Sequence, residues 1–479
     1  MNYEDLFRVT LPETALELAA LLVLVVDLGF LRKAALKTRV NVAALLGVAG
    51  CGGALWAMRF QYGAWLTNDG EGFGPALLGS GGYVGVAQTG ILILTALTLL
   101  LLIDSVFTRH VGEFVALDLM AAAGGLLVAG AQDLLVIFVG LELLSLSLYI
   151  MTAFAKSSAK SAEAALKYYL FGGMSAAFLL FGFSYFYGLS GTTNLTGIQE
   201  AISSSGSSPL FCVAWILVLA GLGFKVAAVP FHLWAPDTYE GAPAPAAAFI
   251  ASVSKVASFA LLITLRWQWM RVGSNFGSSL TVVNPFLRQY YQTWPKLGLV
   301  LLVVAAASMV VGNLAALAQI SVRRLLAYSA IAHAGYILLG LAVQPVYSGK
   351  GSPFEFFAKS VYPAIRSTDA VLYYILTYGL TTIGAFGVVS VVERATGSDR
   401  LDSFLGLHKR NPVLAAVLLV LFLSLAGTPR WSASGPSSIS LSRCWASLPG
   451  RFHLRWWRWL SHSARSRSTT TCRCSSGLT

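Results

Sequence analysis

Charge is scarce in this sequence. Only 11% of its 479 residues are charged, whereas soluble proteins average about 25%. Hydrophobic residues make up 56% of the chain. So few charges cannot cover the surface of a set of soluble domains. The composition therefore favours a polytopic membrane protein with short loops.

Sequence motifs typical of nucleotide-binding proteins and soluble hydrolases are missing too. The sequence has no GxGxxG opening a βαβ unit, no phosphate-binding P-loop and no Ser/His/Asp order of a soluble hydrolase. Its five cysteines are not spaced as metal ligands. Cys51 and Cys212 stand alone in apolar segments, which favours packing over redox chemistry. We therefore expect no cofactor and no metal in this chain, so that any redox chemistry that drives it takes place in other proteins.

The sequence does contain a series of apolar runs of about 20 residues, the length of helix that crosses a bilayer. We predict an all-α polytopic membrane protein with eleven full spans and a twelfth that begins and then fails. The runs occupy 11–31, 41–59, 86–106, 113–131, 134–154, 164–189, 209–240, 245–267, 296–319, 323–343, 369–392 and 411–429.

Basic residues favour every second loop, and such loops face the cytoplasm in most membrane proteins. This alternation predicts that the N-terminus lies outside. The opposite loops are mostly Gly, Ser, Thr and Asn, and residues 191–208 are interpreted as one of them. The basic residues of the inner loops are Arg32, Lys33, Lys37, Arg39, Arg109, Lys156, Lys160, Arg323, Arg324, Arg394, Arg400, Lys409 and Arg410.

Two of the runs meet proline-containing breaks. Pro230 and Pro236 interrupt the run at 209–240, and Pro429 ends the last run. Matching interruptions in two halves are typical of inverted-repeat transporters whose site lies at the breaks. The predicted organisation is N-terminal transmembrane helices at 1–110, a first five-helix repeat at 111–267, a second, truncated repeat at 296–429 and a basic tail at 430–479.

Three isolated charges lie near the middle of apolar runs: Glu142, Lys225 and Lys255. A charge at mid-membrane costs about 2.5–3.5 kcal/mol, so we interpret the three as parts of a proton path. Backbone groups freed by the break beside Lys225 need protein or water as partners, which predicts a hydrated cavity there. Glu142 is expected to modulate Lys225, and nearby serines to pass protons to Lys255. The alternatives are a neutral carboxyl at Glu142, hydrogen-bonded to Ser145 or to another helix, and a surface-reaching lysine at Lys225.

Three further candidates carry a weaker signal. Lys167 follows Glu163 by one helical turn, and a helix-surface ion pair explains it as well as a proton relay does. His232 lies in the break, where it could pass protons. His333 fits a packed, hydrogen-bonded core residue as well as it fits a relay.

These residues resemble one family closely, the antiporter-like membrane subunits of bacterial proton-translocating NADH:quinone oxidoreductase (respiratory complex I), and within it the N-type subunits. The resemblance covers about residues 10–429. Its motifs are Gly223-Phe-Lys225 with PFHLWAPDTYEGAP at 230–243, GNLAALAQ at 312–319, RRLLAYSAIAHAGY at 323–336, and residues 141–149, 166–172, 384–386 and 406–412.

The resemblance implies a fold of fourteen transmembrane helices in two inverted five-helix repeats, with helices seven and twelve broken, of which about twelve are readable here. Glu142 and Lys225 match the family's pair on helices five and seven, and Lys255 matches its central lysine. The family is thought to pump protons while partner membrane-arm and peripheral subunits hold the NADH, FMN, Fe–S cluster and quinone sites. This chain would then bind no redox centre and no nucleic acid.

The sequence departs from the family after Pro429, where the family continues Pro-x-x-Gly-Phe-x-x-Lys-Phe. Here the tail has eight arginines and no acid, and contributes eight of the net twelve positive charges. Allowed codons for residues 430–439, read two bases later, give Val-Val-Gly-Phe-Trp-Ala-Lys-Phe-Tyr, with the lysine codon spanning Pro436 and Ser437. We therefore interpret the tail as a frameshifted and disordered translation. The alternative is a basic amphipathic tail on the membrane surface.

Proton translocation in complex I, in a bacterial cytoplasmic membrane, is thus the leading hypothesis. A subunit of a multisubunit cation/proton antiporter shares the broken-helix lysine signature and is the second. A stand-alone secondary transporter is the third. The three differ in the partners they require: soluble Fe–S and flavin subunits for the first, only membrane subunits for the second, and none for the third.

Overall fold

A computed structural model of the chain describes residues 7, 9–67, 78–79, 82–103, 107–205, 209–271, 285–342 and 367–426. The segment after residue 426, including Pro429 and the tail, lies outside the described residues. The elements of the first part are α1 (Leu11–Val25, continued by a π-helical turn at Val26–Phe30), α2 (Leu36–Thr67), α3 (Gly82–Leu100), α4 (Val111–Gly130), α5 (Leu134–Thr152), α6 (Ala159–Ser190) and α7 (Leu195–Ser205).

The chain continues through a broken helix into a second group of long helices. These elements are α8 (Pro209–Lys225), α9 (Trp234–Gly241), α10 (Ala244–Ala251), α11 (Val253–Arg271), α12 (Pro285–Leu317), α13 (Val322–Ala342), α14 (Ser367–Thr396), a 3₁₀ turn (Leu401–Phe404), α15 (Leu407–Arg410) and α16 (Pro412–Ala426).

Nine helices in the described part of the chain have the length and hydropathy to cross a membrane. The apolar helices α8 and α16 are shorter, because the first stops at the break and the second runs to the edge of the described residues. Each of the twelve apolar runs contains at least one helix. The expected all-α polytopic fold is therefore confirmed.

The connection between the apolar helices α6 and α8, interpreted as a loop at 191–208, contains the short helix α7. The Asn194 side-chain oxygen accepts hydrogen bonds from the amides of Thr196, at 3.0 Å, and Gly197, at 3.3 Å. Asparagine is a favoured N-cap for this reason. The polar residues that indicated a loop thus include the residue that caps a helix.

Two helical hairpins pack in the same way in the two halves. A Cβ on Gly124 of α4 would lie 2.6 Å from the Leu144 amide of α5, and one on Gly312 of α12 would lie 2.6 Å from the Ala332 amide of α13. Only glycine allows such a close helix crossing. Each hairpin turn also pairs with a later segment through an isolated antiparallel bridge, Asp133 with Asn194 and Ser321 with Arg400.

Candidate functional site

The helix of the 209–240 run is broken between α8 and α9. Pro230 lies in the non-helical segment 226–233, where Ala227 takes a left-handed backbone with φ of +58°. Freed amides find partners inside the protein: Ala228 donates to the Gly223 carbonyl at 2.8 Å and Val229 to the Ser308 hydroxyl at 2.9 Å. Satisfied backbone groups allow an irregular segment to persist in an apolar environment.

Pro236 lies at the edge of this break, in the first turn of α9. A proline is tolerated there because the first amides of a helix have no partner within the helix. The structure therefore places Pro236 where the helix restarts and Pro230 where it is interrupted.

Lys225 is the last residue of α8, and its side chain is buried. The Nζ atom donates to the Ser145 hydroxyl of α5. Two aromatic rings also face the ammonium, with centroids 5.9 Å away at Tyr149 and 5.6 Å away at Phe224. The C-terminal end of a helix favours a cation. Lys225 is thus held by a hydroxyl, two ring faces and the end of its own helix.

Glu142 is half-buried on α5 and interacts electrostatically with Lys225. No salt bridge joins the two side chains, both of which the structure describes. The direct acceptor is Ser145, one turn along α5 from Glu142. Sequence reasoning considered Ser145 only as a partner for Glu142, although its spacing places both side chains on one face of the helix.

Lys255 lies on α11 and is almost fully buried. Its Nζ atom donates to the Ala330 carbonyl of α13 at 2.7 Å and lies 5.6 Å from the centroid of the Tyr378 ring on α14. Two of the serines expected to feed protons to it donate their hydroxyl hydrogens to backbone carbonyls. Ser252 donates to the Ala248 carbonyl at 2.6 Å and Ser258 to the Ser254 carbonyl at 2.8 Å.

His333 joins the surroundings of Lys255. Its ring is buried, with Nδ1 2.7 Å from the Tyr374 hydroxyl and the ring centroid 4.5 Å from that of Tyr378. His232 is half-buried in the break, and its buried Nδ1 has no hydrogen-bond partner within the described part of the structure. The two histidines therefore lie in different surroundings, one among aromatic rings and one at the interrupted helix.

Lys167 of α6 makes both a local and a long-range ion pair. Its Nζ atom lies 2.6 Å from the Glu163 carboxylate, one turn away, and 2.7 Å from Asp237 of α9. The helix-surface pair therefore exists, and a second bond ties Lys167 to the broken helix. Sequence reasoning missed Asp237, which is separated from Lys167 by 70 residues.

The site residues thus form two groups. The first contains Lys225, Ser145, Tyr149 and Glu142, and the second contains Lys255 with Tyr378, His333 and Tyr374. Within the described ranges, no three His, Cys, Asp or Glu side chains are placed to hold a metal ion.

Comparison with known proteins gives consistent matches. A family model described as "NADH:quinone oxidoreductase/Mrp antiporter, TM" matches residues 131–283, 277–364 and 357–447. The chain is 45% identical to "NADH-quinone oxidoreductase subunit N 2" of Acidobacterium capsulatum over 443 residues, which is 90% of this chain and 81% of the relative.

A second relative, "NADH-quinone oxidoreductase subunit N" of Geobacillus kaustophilus, is 42% identical over 67% of this chain and 59% of its own length. Among solved structures, a chain of respiratory complex I from Thermus thermophilus with bound aureothin is similar. It has a TM-score of 0.69 at 30% identity, over 98% of this chain and 88% of that chain.

Proposed function

The chain belongs to the NADH:quinone oxidoreductase/Mrp antiporter family, as a membrane-arm subunit of the N type, and from this premise we propose that Lys225 and Lys255 carry the protons it translocates. As a subunit of NADH:quinone oxidoreductase it couples electron transfer from NADH to quinone in other subunits to proton movement through the membrane. Glu142 modulates Lys225. Lys167, His232 and His333 are secondary candidates on the same path.

The observation that carries this proposal is the hydrogen bond from Lys225 to Ser145 beside the broken helix. The Ser145 hydroxyl donates to the Leu141 carbonyl and accepts from Lys225, and a lysine amine can donate this bond in its charged and in its neutral form. Glu142 interacts electrostatically with Lys225, so a movement of Glu142 changes the surroundings of the lysine. The arrangement therefore supports a group that takes up and releases a proton without leaving its position.

The surroundings of Lys255 also accommodate the lysine in its charged and in its neutral form. The Ala330 carbonyl can accept from the lysine in either form, and the Tyr378 ring face attracts the ammonium. Its hydrogen-bond acceptor lies on α13 and its ring contact on α14, both outside the predicted first repeat. We place Lys255 between the two halves, where it takes protons from one and passes them to the other.

We also propose that the chain binds no redox cofactor, and that NADH, FMN, Fe–S clusters and quinone are bound by partner subunits. The other membrane-arm subunits of the complex are its direct partners. The surrounding phase is a bacterial cytoplasmic membrane. We propose that the N-terminus faces outward, on the strength of the basic residues in alternate loops. Labelling of a single cysteine placed near residue 7 with a membrane-impermeant reagent, in intact cells, tests the orientation.

The test compares Lys225→Ala with Lys156→Ala, an exposed loop lysine, in membrane vesicles that contain the assembled complex with an intact reading frame. NADH-driven quinone reduction and proton uptake are measured together. We expect Lys225→Ala to lower proton uptake coupled to quinone reduction at least tenfold and Lys156→Ala to leave it unchanged. Unchanged uptake and activity in Lys225→Ala would remove this lysine from the path.

The family description also names the Mrp antiporter, so this second function needs its own test. Affinity purification of the chain from its native membrane separates the two. Soluble flavin and Fe–S subunits in the purified complex are expected for the oxidoreductase. A complex of membrane subunits alone, with sodium/proton exchange in vesicles, would overturn that assignment in favour of the antiporter.

A further inference from the structure

A network of ion pairs surrounds α9, the second half of the broken helix. In the first turn of α9, the Asp237 Oδ2 atom lies 2.7 Å from Lys167 Nζ of α6, and its Oδ1 atom lies 2.7 Å from Arg324 Nη1 of α13. One turn later, Glu240 binds the same Arg324 at 3.1 Å and Lys160 of α6 at 3.0 Å. The α9 helix is therefore bound on two sides by cations.

A second arginine of α13 holds the other end of α9. Arg323 Nη1 donates to the carbonyl of Ala242 at 2.8 Å and to that of Glu240 at 3.3 Å. Its guanidinium also binds Glu393 of α14. Successive arginines at the start of α13 thus bind the acidic side chains of α9 and the carbonyls at and just beyond its C-terminal end.

Residues adjacent to these ion pairs connect α6 and α9 to the Lys225 site. Tyr168, next to Lys167, stacks on Trp234, the first residue of α9, with ring centroids 4.4 Å apart and planes 9° apart. The indole of Trp234 donates to the Phe224 carbonyl at 3.0 Å, directly before Lys225. A shift of α9 therefore moves the group that binds the end of α8.

The arginines that bind α9 and the carbonyl that accepts from Lys255 lie on the same helix, α13. Ala330, whose carbonyl accepts from Lys255, is six residues beyond Arg324 on α13. At about 1.5 Å of rise per residue, the two contacts are roughly 9 Å apart along a rigid rod. The same helix thus contacts both halves of the proposed path.

From these contacts we propose that Asp237 is a positioning residue, which joins α6 to α13 through α9 and transmits displacements between the Lys255 and Lys225 sites. The proposal rests on the proposed function for its role in proton transfer. The competing account is a solvated rim of charges, since side-chain exposure is 29% for Asp237 and 30% for Arg324. Exposed ion pairs contribute little to stability on average. A change in the broken segment after loss of the Asp237 charge would therefore support the positioning role, and no change would support the rim of charges.

The test uses Asp237→Asn, which keeps the side-chain volume and removes the charge. The matched control is Lys160→Gln, which removes another ion pair of α9 whose lysine is 74% exposed. The reporters are the amides of Ala228 and Val229, whose bonds hold the break together. Their hydrogen–deuterium exchange is measured in the purified complex, beside the ratio of protons pumped to quinone reduced.

We expect Asp237→Asn to speed exchange of these amides about fivefold or more and to lower the pumping ratio, with Lys160→Gln unchanged. Asp237→Glu, which keeps the charge, should restore most of both. If Asp237→Asn does not assemble, Arg324→Gln decides, because it leaves the Lys167 bond in place. Unchanged exchange in both Asp237→Asn and Arg324→Gln would overturn the positioning role. A change in Lys160→Gln as large as that in Asp237→Asn would overturn it too.

The exchange measurement does not depend on pumping, so the two proposals can fail separately. A complex with an intact reading frame that does not pump refutes the proposed function and leaves the exchange result as it stands. A pumping complex whose break is unaffected by Asp237→Asn refutes the positioning role alone.

Discussion

The two buried lysines differ in what holds them. Lys225 ends a helix half and donates to a side-chain hydroxyl, with an acid nearby. Lys255 lies within an apolar helical run, one turn beyond the irregularity at Ser252, and donates to a backbone carbonyl. Both have an aromatic ring within 6 Å of the ammonium. Both lysines are thus buried beside an aromatic ring, but one donates to a side-chain hydroxyl and the other to a backbone carbonyl.

This difference indicates which lysine can be regulated by movements of nearby side chains. A side-chain hydroxyl and a carboxylate can change rotamer, so the surroundings of Lys225 can switch while the backbone stays in place. A backbone carbonyl moves only with its helix, so the acceptor of Lys255 changes only when α13 moves. We therefore expect Lys225 to respond to side-chain substitutions and Lys255 to respond to helix displacement.

The largest effect concerns a third lysine that would complete this comparison. Residues after 426 lie outside the described part, and the family motif with its lysine can be obtained there only with codons chosen to suit and a frame shifted by two bases. A complex assembled with the chain as printed is expected to lose most proton pumping, and a version with the shifted frame to regain it. Resequencing the gene is the first measurement. Codons that do not encode the motif, or normal pumping by the printed chain, would refute this interpretation.

The next effect is expected from Ser145→Ala. Losing the acceptor of a charged group costs about 1.5–3 kcal/mol, which is a factor of about ten to one hundred in an equilibrium. We expect proton uptake coupled to quinone reduction to fall by about that factor.

Ser147→Ala is the control for this substitution, since Ser147 lies on the same helix and donates to the Leu143 carbonyl at 2.9 Å. It should leave uptake unchanged. Equal losses in both variants would point to damage to α5 rather than to a role of Ser145 at Lys225.

A large part of this arrangement could be predicted from the sequence. Runs of about 20 apolar residues determined the helices, and Pro230 determined the position of the break. The acceptors could not be predicted, because Ser145 is 80 residues from Lys225 and Ala330 is 75 residues from Lys255. The apolar pattern of each helix does not specify which neighbour faces a lysine. The proton-carrying roles themselves stay predictions until the variants are measured.

A smaller effect is expected at Lys255. Tyr378→Leu removes the ring face but leaves the Ala330 carbonyl in place. A desolvated cation–π contact contributes about 2 kcal/mol, but at 5.6 Å this contact is near the distance limit for such pairs, and the carbonyl bond remains. We expect pumping to fall a few-fold, less than in Ser145→Ala. Tyr373→Leu on the exposed side of α14 is the control. A loss as deep as that of Ser145→Ala would mean that the ring, and not the carbonyl, determines the state of Lys255.

The smallest effect is expected from Glu163→Gln, at the rim of the Lys225 site. Lys167 binds Glu163 at 2.6 Å and Asp237 at 2.7 Å, and the Glu163 side chain is 64% exposed. An exposed carboxylate is screened by water and salt, and the bond to Asp237 holds Lys167 in place without it. Pumping and the exchange of the Val229 amide should both stay within error of the unmodified complex. A clear loss of pumping with unchanged exchange would show that Glu163 passes protons to Lys167, and the path would then extend from Lys225 to the surface of α6.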